Sequence, residues 1–399
     1  MIQELRAALL GLTAYRALRE EAVMRSMMEL LDALAADRGE AALSAYAEVF
    51  TLLRQEGAVG LGGWFLERLR YLETPYSIAL EQGKEDPVLF AAAARDVELF
   101  RRLSALDCGE LVGRMAEQLP EAFGPVLEGL PRWESGAPFT LKDLTVFYQT
   151  NGAGIFGRYR AFLWSEGALV PVEDPDCPSE EKLMGYTWQR SRVLANTRAF
   201  VKGKRVNDVL LYGDSGTGKS ATVKTLLSVP GLENLRLVEV QKDGFRTLPT
   251  LIRQLADQKQ RFILFIDDLA FDQDDNTYSV LKTILEGGLE RRPGNVTIYA
   301  TSNRRLLVRQ TFSDREGDEI DAQETIQEKT ALSDRFGLRI PYLSLSKTEF
   351  LDLAGSLARQ RGMEIDPDEL RREAVKWDMR SPARTPRGAR QFLDSLAVR

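Results

Sequence analysis

The sequence predicts an α/β fold: a parallel sheet, with an all-α N-terminal domain before it and a small helical C-terminal lid after it. Three observations predict this. First, the apolar run Val209-Leu210-Leu211-Tyr212 enters the pattern Gly213-x-x-x-x-Gly218-Lys219-Ser220 and then a helix-forming stretch. Second, further apolar runs at 235–240, 262–266 and 295–300 alternate with helical spacing at 221–228, 248–258 and 278–289, as a parallel sheet requires. Third, residues 1 to about 130 keep helical spacing, and helical spacing returns after residue 341.

Composition narrows the chemistry. With 399 residues, 44% hydrophobic and 28% charged, the chain has room for two or three globular domains. A net charge of −6 and a pI near 5.3 argue against a chain that coats nucleic acid, leaving only a local basic patch for such a partner. Cys108 and Cys177 stand far apart and in no C-x-x-C, so a disulfide framework and a thiolate zinc site are both excluded and a reducing compartment is expected. The sequence has no histidine. That removes Ser-His and Cys-His nucleophile pairs, H-E-x-x-H metal sites and every imidazole mechanism, so chemistry must rest on carboxylates, lysine, arginine and bound metal. No apolar run reaches membrane-spanning length, and Glu4 and Arg6 interrupt the N-terminus, so the expectation is a cytoplasmic chain with no membrane partner.

In the N-terminal domain, residues 1–130, Val23, Met27, Leu30, Leu31 and Leu34 share one helix face, and Ala42, Tyr46, Val49, Phe50 and Leu53 share the next. Met27-Met28 reads as core filler rather than as a partner groove. Thr74-Pro75 and Asp86-Pro87 mark breaks. Residues 131–180, rich in glycine and proline, read as a connecting segment. Gly152-x-Gly154-x-x-Gly157 there matches the dinucleotide fingerprint, but the preceding Phe147-Tyr148-Gln149-Thr150-Asn151 is too polar for a buried strand, so a glycine-rich turn is the better reading. Arg158, Tyr159, Arg160, Phe162 and Trp164 interleave basic and aromatic residues as a single-strand nucleic-acid platform would, but core and turn packing is the better reading.

Residues 181–340 carry the site. In a phosphate loop, Gly213, Gly216 and Gly218 let successive N–H groups turn around an anion, and the following helix adds its partial positive charge. The loop then runs Gly213, Asp214, Ser215, Gly216, Thr217, Gly218, Lys219, Ser220, with Ala221 opening the helix. Lys219 would reach the β- and γ-phosphates of ATP, and the Ser220 hydroxyl would ligate Mg²⁺. The run Phe262–Ile266 ends in Asp267-Asp268. Carboxylates at the C-terminal end of a central strand lie where ligands bind in open α/β sheets, so Asp267 is placed to hold Mg²⁺ and Asp268 to polarise the attacking water. A solvated acidic turn is the competing reading, and it suits Asp272, Asp274 and Asp275 just beyond. Asn303, at the tip of the strand Asn295–Ala300, is the candidate to hold that water, although an Asn there is often only a turn former.

Four stretches in order, Val209–Ser220, Phe262–Asp268, Ala300–Asn303 and Leu332-Ser333-Asp334-Arg335-Phe336-Gly337, resemble the Walker A, Walker B, sensor 1 and arginine-finger motifs of AAA+ ATPases. With Asn196-Thr197-x-x-Phe200 and Ala300-Thr-Ser-Asn-Arg-Arg305, the chain more closely resembles an uncharacterised bacterial family, a domain of unknown function with an ATP-binding AAA+ core, over roughly residues 145–399. The resemblance implies that Arg335 is a finger offered to a neighbouring subunit's ATP, in a ring or partial ring of identical chains. It also implies that Arg390, within Arg387-Gly388-Ala389-Arg390, is the sensor 2 arginine of the lid, residues 341–399. Two features depart from the family pattern. Asp267-Asp268 stands where most members have Asp-Glu, which implies slow hydrolysis, and the segment 311–330 adds Arg315 as a rival finger.

The function these readings predict is an AAA+ ATPase that binds Mg-ATP and hydrolyses it slowly to drive or gate a conformational change in an unidentified protein partner. The alternative is an ATP-gated binding switch with negligible turnover. No N-K-x-D or T-K-x-D occurs to read guanine, and no acceptor pocket for a metabolite kinase is evident. Lys376, Arg380, Arg384, Arg387 and Arg390 cluster in the lid. Surface charge, a γ-phosphate contact and contacts to a nucleic-acid backbone are the three readings of that cluster.

Overall fold

The chain is described by a computed structural model covering residues 1–270, 277–286, 292–303, 332–380 and 384–397. It divides into two compact units, Met1–Arg158 and Tyr159–Arg399.

The first unit is all-α. Its helices Ala22–Ala35 and Gly39–Gln55 bury the faces that the spacing marks: Val23, Met27, Leu30, Leu31, Tyr46, Val49 and Leu53 are all fully buried. Met27 is core filler, as the spacing implied. The two proline breaks are helix starts. Thr74 caps the helix Pro75–Glu81 through a capping box with Ser77, and Asp86 caps Pro87–Ser104 by accepting from the N–H groups of Val88 and Leu89. A proline just inside each start sacrifices no helical hydrogen bond.

The second unit is organised by a seven-stranded sheet in the order β2-β1-β4-β5-β6-β3-β7. The strands are β1 Ala161–Ser165, β2 Ala168–Val172, β3 Val209–Gly213, β4 Leu235–Val240, β5 Arg261–Ile266, β6 Val296–Ser302 and β7 Leu338–Tyr342. All pairings are parallel except β1 with β2. A strand buried on both faces has no reason to alternate, which is why β3, β4 and β5 read as near-continuous Val/Leu/Ile/Phe runs. Because β3 pairs with β6, and β6 with β5, the C-terminal ends of these three strands lie side by side. Three helices follow β7: Lys347–Gln360, Pro367–Arg380 and Pro386–Ala397. Phe350, Leu353, Leu357, Phe392 and Leu393 form their own small core.

Three stretches of the sequence take definite form. Residues 131–180 are divided between the two units. Trp133 packs on Tyr46, with ring centroids 4.6 Å apart, and Tyr148 is fully buried in the helix Leu141–Asn151, which ties this part to the first unit. From Ala161 the same stretch gives the sheet an antiparallel hairpin whose turn, Glu166-Gly167, has φ of 51° and 79°, the left-handed pair that a two-residue turn demands. The Gly152–Gly157 fingerprint follows a helix rather than a strand, and Gly152, at φ 78°, simply terminates it. Finally, Phe162 and Trp164 are buried in β1, so these two rings of the interleaved basic and aromatic stretch form core rather than a stacking platform. Asp272, Asp274, Asp275, Arg304, Arg305, Arg315 and the segment 311–330 lie outside the described residues.

Candidate active site

The loop after β3 is shaped by close approach to β7. Gly213 has φ 131°, and a Cβ there would sit 2.3 Å from the Tyr342 carbonyl oxygen. The same contact brings Asp214 N to Tyr342 O at 2.9 Å. Gly213→Ala is therefore expected to cost roughly 1–3 kcal/mol in backbone strain before any clash is counted, read as a lowered melting temperature. An unchanged melting curve would show that the turn relaxes freely.

Lys219 emerges from this loop into a largely buried position, 6% exposed. Its Nζ donates to Gly213 O at 2.9 Å, Asp214 O at 2.8 Å and Asn303 Oδ1 at 2.9 Å. Burial pushes the ammonium's pKa below its ordinary value, against the opposing pull of Asp214, Asp268 and Asp267. Ser220 Oγ donates to Asp267 Oδ1 at 2.6 Å, and Thr301 Oγ1 donates to the same oxygen at 2.5 Å. Asn303 Nδ2 donates to Asp268 Oδ1 at 2.8 Å. Asp268 is held at φ 50°, its N–H donating to Thr301 Oγ1 at 2.9 Å. A non-glycine residue in that region marks a position fixed by its surroundings. One polar chain thus runs from Lys219 through Asn303 to Asp268, with Ser220 and Asp267 beside it.

These groups line a cavity of about 360 Å³ that also takes in loop residues 215–222 and the lid residues Arg387 and Arg390. Arg387 N donates to Gly216 O at 3.2 Å, and Ser344 N and Oγ donate to Asp214 Oδ2 at 2.7 and 2.6 Å, so the lid side of the unit is tied directly to the phosphate loop. The Ser344 bonds lower the Asp214 carboxyl's pKa. Among the described residues no cluster of three or more His, Cys, Asp or Glu groups could hold a metal by itself. A Ser hydroxyl and one carboxylate 2.6 Å apart suit Mg²⁺, which is held by one or two carboxylates plus substrate phosphates. Loop N–H groups, a lysine and three arginines around one cavity suit a polyphosphate.

The family model described as protein of unknown function (DUF815) matches residues 157–399, more than half of the chain. The chain belongs to this family. The match starts later than the 145 that the motifs suggested. No curated protein matches the chain. Among solved structures, a Thermotoga maritima RuvB described as a Holliday junction branch migration motor is 17% identical, with a TM-score of 0.35, covering 53% of this chain and 61% of its own. C. elegans PCH-2 is 18% identical, with a TM-score of 0.35, covering 55% of this chain and 70% of its own. The chain therefore spans less than two thirds of the RuvB chain it matches.

In this DUF815 chain the α/β unit is a mostly parallel sheet followed by a small helical bundle. Of the residues singled out from sequence, the cavity gathers Lys219, Ser220, Asp267, Asp268, Asn303 and Arg390. Arg335 is not among them. It precedes β7, whose first residue, Leu338, pairs with Val209 and whose last, Tyr342, pairs with Gly213. Arg335 therefore lies beyond the opposite end of the strand from the chain's own phosphate loop, ~13 Å away or more from four strand rises alone. The lid's basic cluster also resolves. Arg384 forks onto Asp378 at 2.7 and 2.9 Å and Lys376 pairs with Glu373 at 2.6 Å, whereas Arg387 and Arg390 face the cavity. Sequence reasoning missed Thr301, Arg387 and Arg190 as cavity residues. Thr301 was within reach, standing in the same strand-end motif as Asn303.

Proposed function

We propose that this chain binds Mg-ATP in the cavity behind its phosphate loop and hydrolyses it slowly, driving or gating a conformational change in a protein partner. The observation that carries the reading is the hydrogen-bonded chain Lys219–Asn303–Asp268, which places a cation for phosphate, an amide and a carboxylate along one cavity wall. Mg²⁺, when bound, would neutralise phosphate charge. Ser220 and Asp267 offer it two adjacent oxygens, and Lys219 holds phosphate. Asn303 orients the water, and Asp268 accepts its proton. Arg387 and Arg390 connect phosphate occupancy to the lid. Steady-state phosphate release from ATP, with and without Mg²⁺, tests this directly.

The switch with negligible turnover remains a second reading because of one observation. Asp268 is a short carboxylate, pinned at a left-handed backbone and engaged by Asn303, so its reach toward a water is restricted. Two variants separate the readings. Asp268→Asn should leave ATP affinity within a few-fold and lower turnover on the order of a hundredfold, the scale of one lost base. Asp267→Asn should instead weaken binding only when Mg²⁺ is present. Parental turnover in Asp268→Asn would make that carboxylate structural, and parental turnover below about one per hour would favour the switch.

A ring or partial ring of identical chains follows from Arg335. An arginine finger has to reach phosphate, and Arg335 lies far from its own chain's loop, so it would serve a neighbour's. Among the described residues no helix is long and apolar enough to cross a membrane.

A further inference from the structure

The pairing of β5 with β6 runs as far as Ile266 and Ala300, so Asp267 and Thr301 are the first residues past it on the two strands. From there the Thr301 side chain takes over from the backbone ladder. Its Oγ1 donates to Asp267 Oδ1 at 2.5 Å and accepts the Asp268 N–H at 2.9 Å. A hydroxyl has one proton to give and lone pairs to receive, so both bonds form at once. The Thr301 carbonyl accepts the Leu269 N–H at 2.7 Å, and Ser302 Oγ donates to Leu269 O at 2.8 Å. The end of β6 therefore grips all three residues of the turn Asp267-Asp268-Leu269, and Thr301 and Leu269 are both buried.

Each acid depends on that oxygen in its own way. Asp268 sits at φ 50°, a backbone region that a non-glycine residue occupies only when its surroundings hold it there. The Thr301 hydroxyl is the acceptor of its N–H, and from this backbone the Asp268 carboxylate meets Asn303 Nδ2 at 2.8 Å. On Asp267, Ser220 and Thr301 both donate to Oδ1, and among the described residues no hydrogen bond reaches Oδ2. Ser220 is itself offered to Mg²⁺ in the proposed site, so Thr301 is the donor whose task is to hold the carboxylate. Threonine suits this because branching at Cβ restricts χ1 and fixes where the hydroxyl points.

We infer that Thr301 is the positioning residue of the acid pair: one hydroxyl orients Asp267 toward the metal and locks the turn that presents Asp268 to the water. This rests on the nucleotide reading of the cavity. Because the two carboxylates share a single support, its removal impairs metal-dependent binding and turnover together.

The test is calorimetric titration of the full chain with ATP, with Mg²⁺ and without it, alongside phosphate release at saturating Mg-ATP and a thermal melt. Thr301→Val keeps the branched shape and loses the hydroxyl. With Mg²⁺ present it should bind ATP about 10- to 100-fold more weakly, the scale for losing a partner of a metal-holding group, and without Mg²⁺ it should stay within a few-fold of parent. Turnover should also fall about 10- to 100-fold, as for a displaced catalytic group. Thr301→Ser restores the oxygen and should return both values to within a few-fold of parent. Losses of equal size with and without Mg²⁺ would make Thr301 a packing residue and overturn the assignment. Parental values in a folded Thr301→Val, or a serine variant as impaired as the valine one, would also overturn it. Thr301→Ala reads the same ratio if the valine variant does not fold, and if neither folds the hydroxyl is a structural tie and the assignment falls. In a parent with negligible turnover the Mg²⁺ ratio decides alone. A parent that binds no ATP in either condition would overturn the nucleotide reading itself and this assignment with it.

Discussion

Lys219→Ala is expected to lose measurable ATP binding while the chain still folds. Its ammonium reaches back into the phosphate loop, and a bond to a charged group contributes about 1.5–3 kcal/mol, so losing contacts to two phosphates costs at least about a hundredfold in affinity. The structure adds a second cost. The same nitrogen bonds Gly213 O, Asp214 O and Asn303 Oδ1, so its removal also leaves two loop carbonyls without this donor and frees Asn303 from one of its anchors. Lys219 itself lines the cavity, so water can take the space its side chain leaves, which keeps the stability loss small beside the binding loss. Titration calorimetry reads the affinity and a thermal melt checks the fold. Parental affinity in a folded variant would sink the assignment of the loop. A variant that fails to fold would show instead that the lysine's bonds hold the loop together.

What could be read from sequence, and what could not, follows from how local each signal is. The phosphate loop, the acid pair and Asn303 are each written within a few consecutive residues, and the strands leading to them are buried on both faces, so the apolar runs and the polar tips are legible together. Arg190 is different. Nothing near it in sequence marks it, and its place on the cavity wall comes only from the helix Thr187–Val201 lying beside the loop and Tyr342. Arg387 is similar: it was visible as one of five basic residues, but which of these are neutralised depends on Asp378 and Glu373 being brought alongside Arg384 and Lys376. The hairpin β1–β2 was hidden because its second strand is half-exposed, contains Pro171 and runs into a Pro/Asp-rich stretch. Pro171 is admissible there because β2 is the edge strand of the sheet. The parallel pairing of β1 with β4 joins this hairpin to the sheet, and the buried ring of Trp164, its Nε1 donating to Thr247 Oγ1 at 3.1 Å and Gly244 O at 3.2 Å, ties it to the short helix Lys242–Thr247.

Mixing two inactive variants is expected to restore ATPase activity. Arg335→Ala alone should lower turnover roughly 10³-fold or more, the effect of removing a guanidinium that stabilises transition-state charge. Lys219→Ala alone should be inactive because it holds no ATP. An Arg335→Ala subunit still has an intact phosphate loop, and a Lys219→Ala subunit still has an intact finger. In a head-to-tail ring assembled at random from equal amounts, about one interface in four pairs the good loop with the good finger, so activity should recover to about a quarter of parental if the sites act independently. The placement of Arg335 makes this a test of geometry. The residue precedes β7 at the end of the sheet away from the loop, and the register of β7 against β3 leaves no route by which it reaches its own chain's Lys219 without unpairing the strand. A finger acting within one chain would therefore require the edge strand to detach. If the mixture co-assembles, as read by mass or light scattering, and stays as inactive as either variant, Arg335 does not act across an interface. Repeating the mixture with Arg315→Ala in place of Arg335→Ala then decides between the rival finger and a chain that works without one.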